Sequence, residues 1–465
     1  MRAGRPWPRT AALHAFSYNW GLALVKGRLS EREHVREATL REGLTRREAD
    51  ALAATVPVPW TLPALRREWN AAKDLVAPWW RSNSKEAANT GLFALACGLK
   101  AWSDSKSGRR KGPVVGFPVF KKRHAKRSCR FTTGSLGVVD PRHIQLPRIG
   151  IMRTKEPTTA LTDLIDAGSA RILSATLTGV AGRWYLSFGC EVSRQMGSPT
   201  QPEEVVGVDV GVQALVVLST GEAVQNPRPL VRHARRMARH QRKLARQQSG
   251  GKGQAASRRS RRTRAWIACT HAKMAHQRGD ALHKVTTALA TTYGTVVVED
   301  LNVAGMTARP APRPDPHRPG HHLHNGARAR AGLNRAILDA SPGELRRRLA
   351  YKCEWYGSRL VVADRWFPSS KTCSGCQTVK TKLSLTERTF HCEACGLVID
   401  RDHNAARNLA ALVEHVAASG VETKNGRGGE RSRAGSSNRC SPAKRQAGTG
   451  RPGRTGTASS QGEAA

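Results

Sequence analysis

Residues 9–105 read as mostly helical. A helix over Leu62–Lys73 places Leu65, Trp69 and Ala72 on one stripe, with Arg66 and Arg67 off it. Thr45-Arg-Arg-Glu48 and Asn83-Ser-Lys-Glu86 have the form of capping boxes, in which each end of the tetrad satisfies a free backbone N–H. Ser103–Pro113, rich in Ser, Gly, Lys and Arg, reads as a linker. From Val114 to about Ser193 the pattern becomes strand-like. Its clearest piece is a hairpin, Ala170–Leu177 and Arg183–Cys190 around Gly179-Val-Ala-Gly182.

Val205–Thr220 predicts two strands joined near Gly211. Arg228–Gln248 and Ser257–Thr292, split by Ser249-Gly-Gly-Lys-Gly253, predict a hairpin of two long helices. Leu230, Ala234, Met237, Gln241 and Leu244 trace one face of the first helix, and arginines fill the others. Thr295–Val303 is an apolar strand ending in acids, and 308–325 is Pro- and His-rich and irregular. Ala329–Tyr356 reads as helix and Arg359–Ala363 as strand. Asp402–Ala418 is an amphipathic helix with Ala406, Leu409, Val413 and Val416 on one side. After Ser419 the chain has few apolar residues, the composition of a disordered tail.

Charge narrows the partner. The 465 residues carry 77 Lys+Arg against 35 Asp+Glu, a balance of +42. Such an excess repels itself unless a polyanion receives it, which favours nucleic acid over a membrane surface. No stretch is long and apolar enough to span a bilayer, and Arg2 and Arg5 are not followed by the apolar core of a secretory signal. Six cysteines scattered singly read as reduced thiols in a cytoplasmic protein. Two basic concentrations fit phosphate contact. Lys121, Lys122, Arg123, Lys126 and Arg127 follow Phe117 and Phe120, and the helical hairpin carries Arg235, Arg236, Arg239, Arg242, Lys243, Arg258, Arg259, Arg261 and Arg262.

Two kinds of metal site are written in the chain. Cys373-x2-Cys376 and Cys392-x2-Cys395 are paired knuckles whose four thiolates suit a closed, structural zinc. His317, His321, His322 and His324 sit in a Pro-rich insertion and read as mobile rather than ligating. Asp209 lies in an apolar strand, where an acid is costly unless it pairs or binds a cation. Glu299 and Asp300 end another strand on opposite faces, so only one can join Asp209. Asp402 opens the last helix, with Asp400 and Asp364 as nearby alternatives. Acids gathered on two strands and a helix start suit divalent cations that act on a phosphodiester.

These stretches resemble the TnpB/OrfB proteins of bacterial insertion sequences, relatives of type V CRISPR effectors. The resemblance rests most on Gly207-Val-Asp-Val-Gly211, Arg278–Val303, Phe367–Cys376 and Cys392–Leu409. Weaker matches are Tyr18-Asn-Trp-Gly-Leu22, Gly116–Lys122 and Ile144–Gly150. It implies an α/β protein: an RNase H-like (RuvC) nuclease domain with an inserted zinc ribbon, plus an N-terminal β-barrel with a helical insertion. The implied regions are a helical recognition-like part over 1–112, a wedge-like barrel over 113–200 and the RuvC domain over 204–372 with its basic hairpin 228–292. The ribbon follows over 373–395, then the RuvC C-terminal helix over 396–418 and the basic tail 419–465. Carried onto this chain, the family's acids fall on Asp209, Glu299 and Asp402. The implied activity is Mg²⁺- or Mn²⁺-dependent cutting of double-stranded target DNA, directed by a transposon-derived guide RNA, in the bacterial cytoplasm near the nucleoid. The family opens with a strand, whereas Met1–Arg9 carries Pro6 and Pro8, so an incomplete barrel is expected. A nucleic-acid binder or RNA-guided repressor without cleavage, and a strand-joining transposase, are the competing readings.

Overall fold

The computed structural model describes residues 7–122, 127–247, 257–384 and 386–419. Outside them lie Arg123, Lys126, the Ser249–Gly253 stretch, the tail from 420 and the opening six residues. The described residues divide into two compact units, one within Met1–Ser193 and the other within Arg194–Gly435.

The first unit opens with helices α1 (Trp7–Arg41), α2 (Arg46–Ala54), α3 (Leu62–Val76) and α4 (Lys85–Lys106). Strands β1 (Arg127–Phe131), β2 (Gly137–Asp140), β3 (His143–Leu146) and β4 (Gly150–Arg153) follow, then α5 (Thr159–Asp166), β5 (Ala170–Val180) and β6 (Arg183–Val192). The strands form two antiparallel sheets, β1-β5-β6 and β2-β3-β4. One core joins helices and sheets: Leu13, Leu22, Leu65, Leu92 and Leu95 pack with Phe131, Ile144 and Leu177. Helices α1 and α4 nearly touch at Gly91, where a Cβ would fall 2.1 Å from the Ser17 hydroxyl oxygen.

Four local expectations change here. Thr45 and Glu48 form the reciprocal box, but at α4 the cap is Ser84, whose hydroxyl accepts the Glu86 N–H. Glu86 instead accepts the hydroxyls of Thr132 (2.9 Å) and Thr133 (3.1 Å). Helix α4 runs past Ser103 to Lys106, helped by Asp104 pairing with Lys100 and Arg109. The turn between β5 and β6 is only Ala181 and Gly182, both left-handed at φ 49° and 79°, as a two-residue hairpin requires. The short helix α5, with only Leu161 buried, interrupts the strand-like region.

The second unit is built on a five-stranded sheet of order β13-β10-β7-β8-β9. Its strands are β7 (Gln201–Asp209), β8 (Ala214–Leu218), β9 (Ala223–Gln225), β10 (Tyr293–Glu299) and β13 (Arg359–Ala363). Strands β7, β10 and β13 are parallel, with β8 and β9 antiparallel at one edge. Between β9 and β10 lie α6 (Pro229–Arg246) and α7 (Arg258–Thr292). Between β10 and β13 lie the single turn α8 (Val303–Met306), the ladder β11 (Arg313–Pro314) with β12 (His322–Leu323), and α9 (Ala327–Ala340) and α10 (Pro342–Tyr356). The hairpin β14 (Thr389–His391) with β15 (Val398–Asp400) leads into α11 (Arg401–Ser419).

Strand alternation sorts the core into two faces. Val206, Val208, Val296 and Val298 face Leu282 and Leu289 of α7 and Leu345 and Leu349 of α10. Val297 and Val361 face Leu409 of α11. The expected strand Thr295–Val303 starts at Tyr293 and stops at Glu299, because Asn302 turns the chain and accepts the Gly305 N–H. The expected single helix Ala329–Tyr356 is two helices. Ser341 is left-handed at φ 55°, and Pro342, which opens α10, disfavours helical backbone in the residue before it. In α6 the inward face runs through His233 and Met237, while Ala234 and Gln241 are exposed.

Candidate nuclease and zinc sites

Asp209 and Glu299 close adjacent parallel strands; Val208 pairs with Val298, so the two acids are next along each ladder. The period of two puts both on the side of Val297, the face that α11 covers. Asp402 stands in the first turn of α11, which packs on β7 and β10. The carboxyl of Asp209 is pushed up to about 8, first by loss of solvent and then by the charges of Glu299 and Asp402, with Arg401 opposing. Three acids thus share one pocket of field, without gathering as tightly as the cysteines do.

Two of the acids have distinct holders. Ser369 donates its hydroxyl to Glu299. Arg401 approaches Asp402 at 3.3 Å and Arg388 at 3.9 Å. The neighbouring acids are occupied elsewhere. Asp300 is clasped by Arg346 and Arg365. Asp400 caps α11, accepting the N–H groups of Asp402 and His403 at 3.0 Å each. Asp364 accepts the Trp366 N–H at 2.8 Å.

The four cysteines converge. Sγ atoms of Cys373 and Cys395, and of Cys376 and Cys392, lie 3.6 Å apart, and all four fall within 4.8 Å of one another. A tetrahedral zinc with Zn–S of about 2.3 Å sets its sulfurs roughly 3.8 Å apart, so the donor set fits that ion. The knuckle turns are closed by Gln377 N–H to Cys373 O and Gly396 N–H to Cys392 O, each 2.9 Å. His391 stays outside this group, and the four histidines of the insertion are likewise not gathered among the described residues.

Two asparagines outside the expected set tie the cysteine module to α11. Asn404 donates to Thr372 O (2.7 Å) and accepts the Ser374 N–H (2.9 Å). Asn408 donates to Ser369 O (2.8 Å) and Thr372 O (2.7 Å). Both are buried at 2% exposure or less. Their signal in the sequence is the four-residue spacing, which puts two amides on one side of an amphipathic helix.

The basic candidates separate by location. Arg235, Arg236, Arg239, Arg242 and Lys243 on α6 are exposed, as are Arg258, Arg259, Arg261 and Arg262 on α7. Lys122 and Arg127 are exposed in the first unit. Lys121 is turned inward: its Nζ lies 3.0 Å from His14 Nε2 and 4.2 Å from the Tyr18 ring centroid. Asn19 brackets its backbone with two hydrogen bonds.

Comparison with known proteins first gives a class. A model described as "Probable transposase" (OrfB_IS605) matches residues 187–309, and one described as "Cas12f1-like, TNB domain" matches 343–409. These cover both the strands bearing the acids and the cysteine module, and mark a transposase-like protein with a Cas12f1-like C-terminal part. The relatives are more particular. Several carry the name "Putative RNA-guided DNA endonuclease". A Mycobacterium tuberculosis protein is 38% identical over 370 residues, 76% of this chain and 75% of its own. InsQ of Escherichia coli is 31% identical over 320 residues, 67% of this chain and 72% of its own. The chain belongs to the TnpB/OrfB family. Among solved structures, a Cas12f1–sgRNA–target DNA complex aligns at TM-score 0.44 and 14% identity, over 87% of this chain and 82% of that one.

Among the described residues, no helix is long and apolar enough to cross a membrane.

Proposed function

We propose that this protein is a transposon-associated, RNA-guided DNA endonuclease whose cutting site is Asp209, Glu299 and Asp402. The observation that carries the reading is the placement of two strand-end acids and one helix-start acid on a single face of the sheet. Their mutual repulsion, which adds to burial in pushing the Asp209 carboxyl up to about 8, is what a cation would relieve. The three carboxylates would hold Mg²⁺ or Mn²⁺, and such ions, when bound, activate water and stabilise the leaving oxygen of a phosphodiester.

The chain's own groups orient two of the acids. Ser369 fixes Glu299 by its hydroxyl, and Arg401 and Arg388 fix Asp402. The four-cysteine group would hold a structural zinc as a ribbon inserted in an RNase H-like (RuvC) domain. The first unit would carry the wedge-like barrel and recognition helices. Exposed arginines of α6 and α7 would neutralise guide and target phosphates, while base pairing with the guide supplies sequence recognition. Lys121, tied to His14 and Tyr18, has a structural place instead.

The test is cleavage of a guide-matched DNA duplex by purified protein carrying its RNA. Wild type is expected to cut only with Mg²⁺ or Mn²⁺, and Asp209→Ala to bind RNA yet not cut. Equal cutting by both would end this reading. RNA binding with no cutting by wild type would favour the non-cleaving binder.

A further inference from the structure

The three parallel strands β7, β10 and β13 present their carboxyl ends at one edge of the sheet. Asp209 and Glu299 stand at two of those ends, and Ala363 is paired with Glu299 at the third. The loop leaving β13 therefore emerges beside the acids. Three residues into it stands Trp366, 84% exposed, whereas the next most exposed tryptophan among the described side chains is 45% exposed. Ser369, which holds Glu299, is three residues further on, at most about 11 Å of chain away.

A projecting indole on a floppy loop would mean little, but this loop is fixed. The Trp366 N–H donates to Asp364 Oδ1 at 2.8 Å and the Phe367 N–H to Asp364 O at 3.1 Å. Phe367 packs against the core beneath α11, and Asn408 holds the Ser369 carbonyl at 2.8 Å. The backbone is pinned on both sides of a side chain that itself packs on little. Next to it, Arg365 and Arg346 both hold Asp300, and the Arg365 side chain stays 45% exposed beside the indole.

From this geometry we infer that Trp366 is a stacking platform for an unpaired base of the DNA strand led to the acids. Every base offers a π-face, so such a platform tolerates any sequence, as an enzyme directed by a guide requires. The guanidinium of the adjacent Arg365, partly exposed, suits the adjoining phosphate. The inference rests on the reading of Asp209, Glu299 and Asp402 as a nuclease site, and its test has one readout independent of cutting.

The probe is a set of 12-nucleotide single-stranded DNAs with 2-aminopurine moved one position at a time, bound to the full-length zinc-loaded protein with Ca²⁺ replacing Mg²⁺. Wild type is expected to quench the fluorophore at one or two positions by stacking. Trp366→Ala is expected to lose that quenching, with Trp366→Phe retaining it, at unchanged zinc content. In Mg²⁺ the kcat/KM for cutting is expected to fall about 5- to 100-fold in Trp366→Ala and to recover in Trp366→Phe. No position-specific quenching in wild type, or the same quenching in Trp366→Ala, overturns the platform. If Asp209→Ala cuts like wild type, the nuclease reading fails instead, and the quenching still judges Trp366.

Discussion

Gly207 of β7 and Ala406 of α11 meet backbone to backbone: a Cβ on Gly207 would fall 1.9 Å from the Ala406 carbonyl oxygen and 2.6 Å from the Ala410 nitrogen. The contact lies two residues from Asp209 and one helical turn from Asp402, so it sets the spacing between those acids. Ser219 ties the same glycine on its other side, accepting its N–H at 3.1 Å and donating its own N–H at 2.9 Å, while His403 reaches the Ser219 carbonyl at 3.1 Å. Gly207→Ala is expected to push α11 off the sheet. Overpacking of this kind costs about 1–3 kcal/mol or more. Calorimetry is expected to show a lower melting temperature, and cutting is expected to fall at least tenfold with all three acids present. A variant with wild-type rate and stability would show that the helix adjusts freely.

The same acids make stability depend on pH when no cation is bound. The Asp209 carboxyl is raised from 3.8 to about 8, so the folded protein holds its proton longer than the unfolded chain does. The corresponding stability is fully present below about 4 and is lost as pH rises through about 8. Asp209→Asn removes the titration. In EDTA, the gap in melting temperature between Asp209→Asn and wild type is expected to widen in the variant's favour from pH 5 to pH 8. Added Mg²⁺ is expected to narrow it by stabilising wild type. A gap that does not change with pH would refute the coupling among the three acids.

Zinc removal is expected to act at a distance. Asn404 and Asn408 bond the backbone of residues 369–374, so losing the knuckle loosens the segment that also carries Ser369, the partner of Glu299. Cys373→Ser is expected to release the ion, and hydrogen exchange is expected to rise across 369–376 and in the first turn of α11. Asn408→Ala keeps all four thiolates. It is expected to keep zinc while costing about 1–3 kcal/mol from the two carbonyl bonds lost in a buried place. Zinc loss in both variants would mean that the asparagine serves the metal directly.

Local periodicity reveals the strand Arg359–Ala363 to the residue, and the paired cysteine knuckles show their convergence through spacing alone. Asp209 stands out because an acid in an apolar strand needs a reason. The choice of Glu299 over Asp300 is open at the level of residues, since alternation separates the two but does not say which face α11 will cover. Tertiary packing separates the two: Val297 faces Leu409, and Asp300 goes to Arg346 and Arg365. Lys121 misleads for the same reason. Its neighbours in sequence are basic, but His14, Tyr18 and Asn19, about a hundred residues earlier, decide where its amine goes. The inward face of α6 is hidden in the sequence because His233, paired with Gln277 of α7 at 3.0 Å, counts as polar in a pattern yet is buried in the fold.

His14 provides a pH test for the first unit, independent of the acids. It is 6% exposed, and burial, then the charge of Lys121, lower it from 6.5 to about 4. A histidine depressed in this way contributes stability that is present above 6.5 and lost as pH falls toward 4. Two and a half units correspond to on the order of 3 kcal/mol. Protonation also removes the acceptor that Lys121 Nζ uses at 3.0 Å and sets a second cation beside the one that lies over the Tyr18 ring. Thermal melts of wild type are therefore expected to drop steeply between pH 6.5 and pH 4. His14→Gln, which keeps an acceptor but does not titrate, is expected to flatten that drop while lowering stability modestly at pH 7. Parallel pH profiles for the two proteins would place the acid sensitivity elsewhere and remove His14 from its cause.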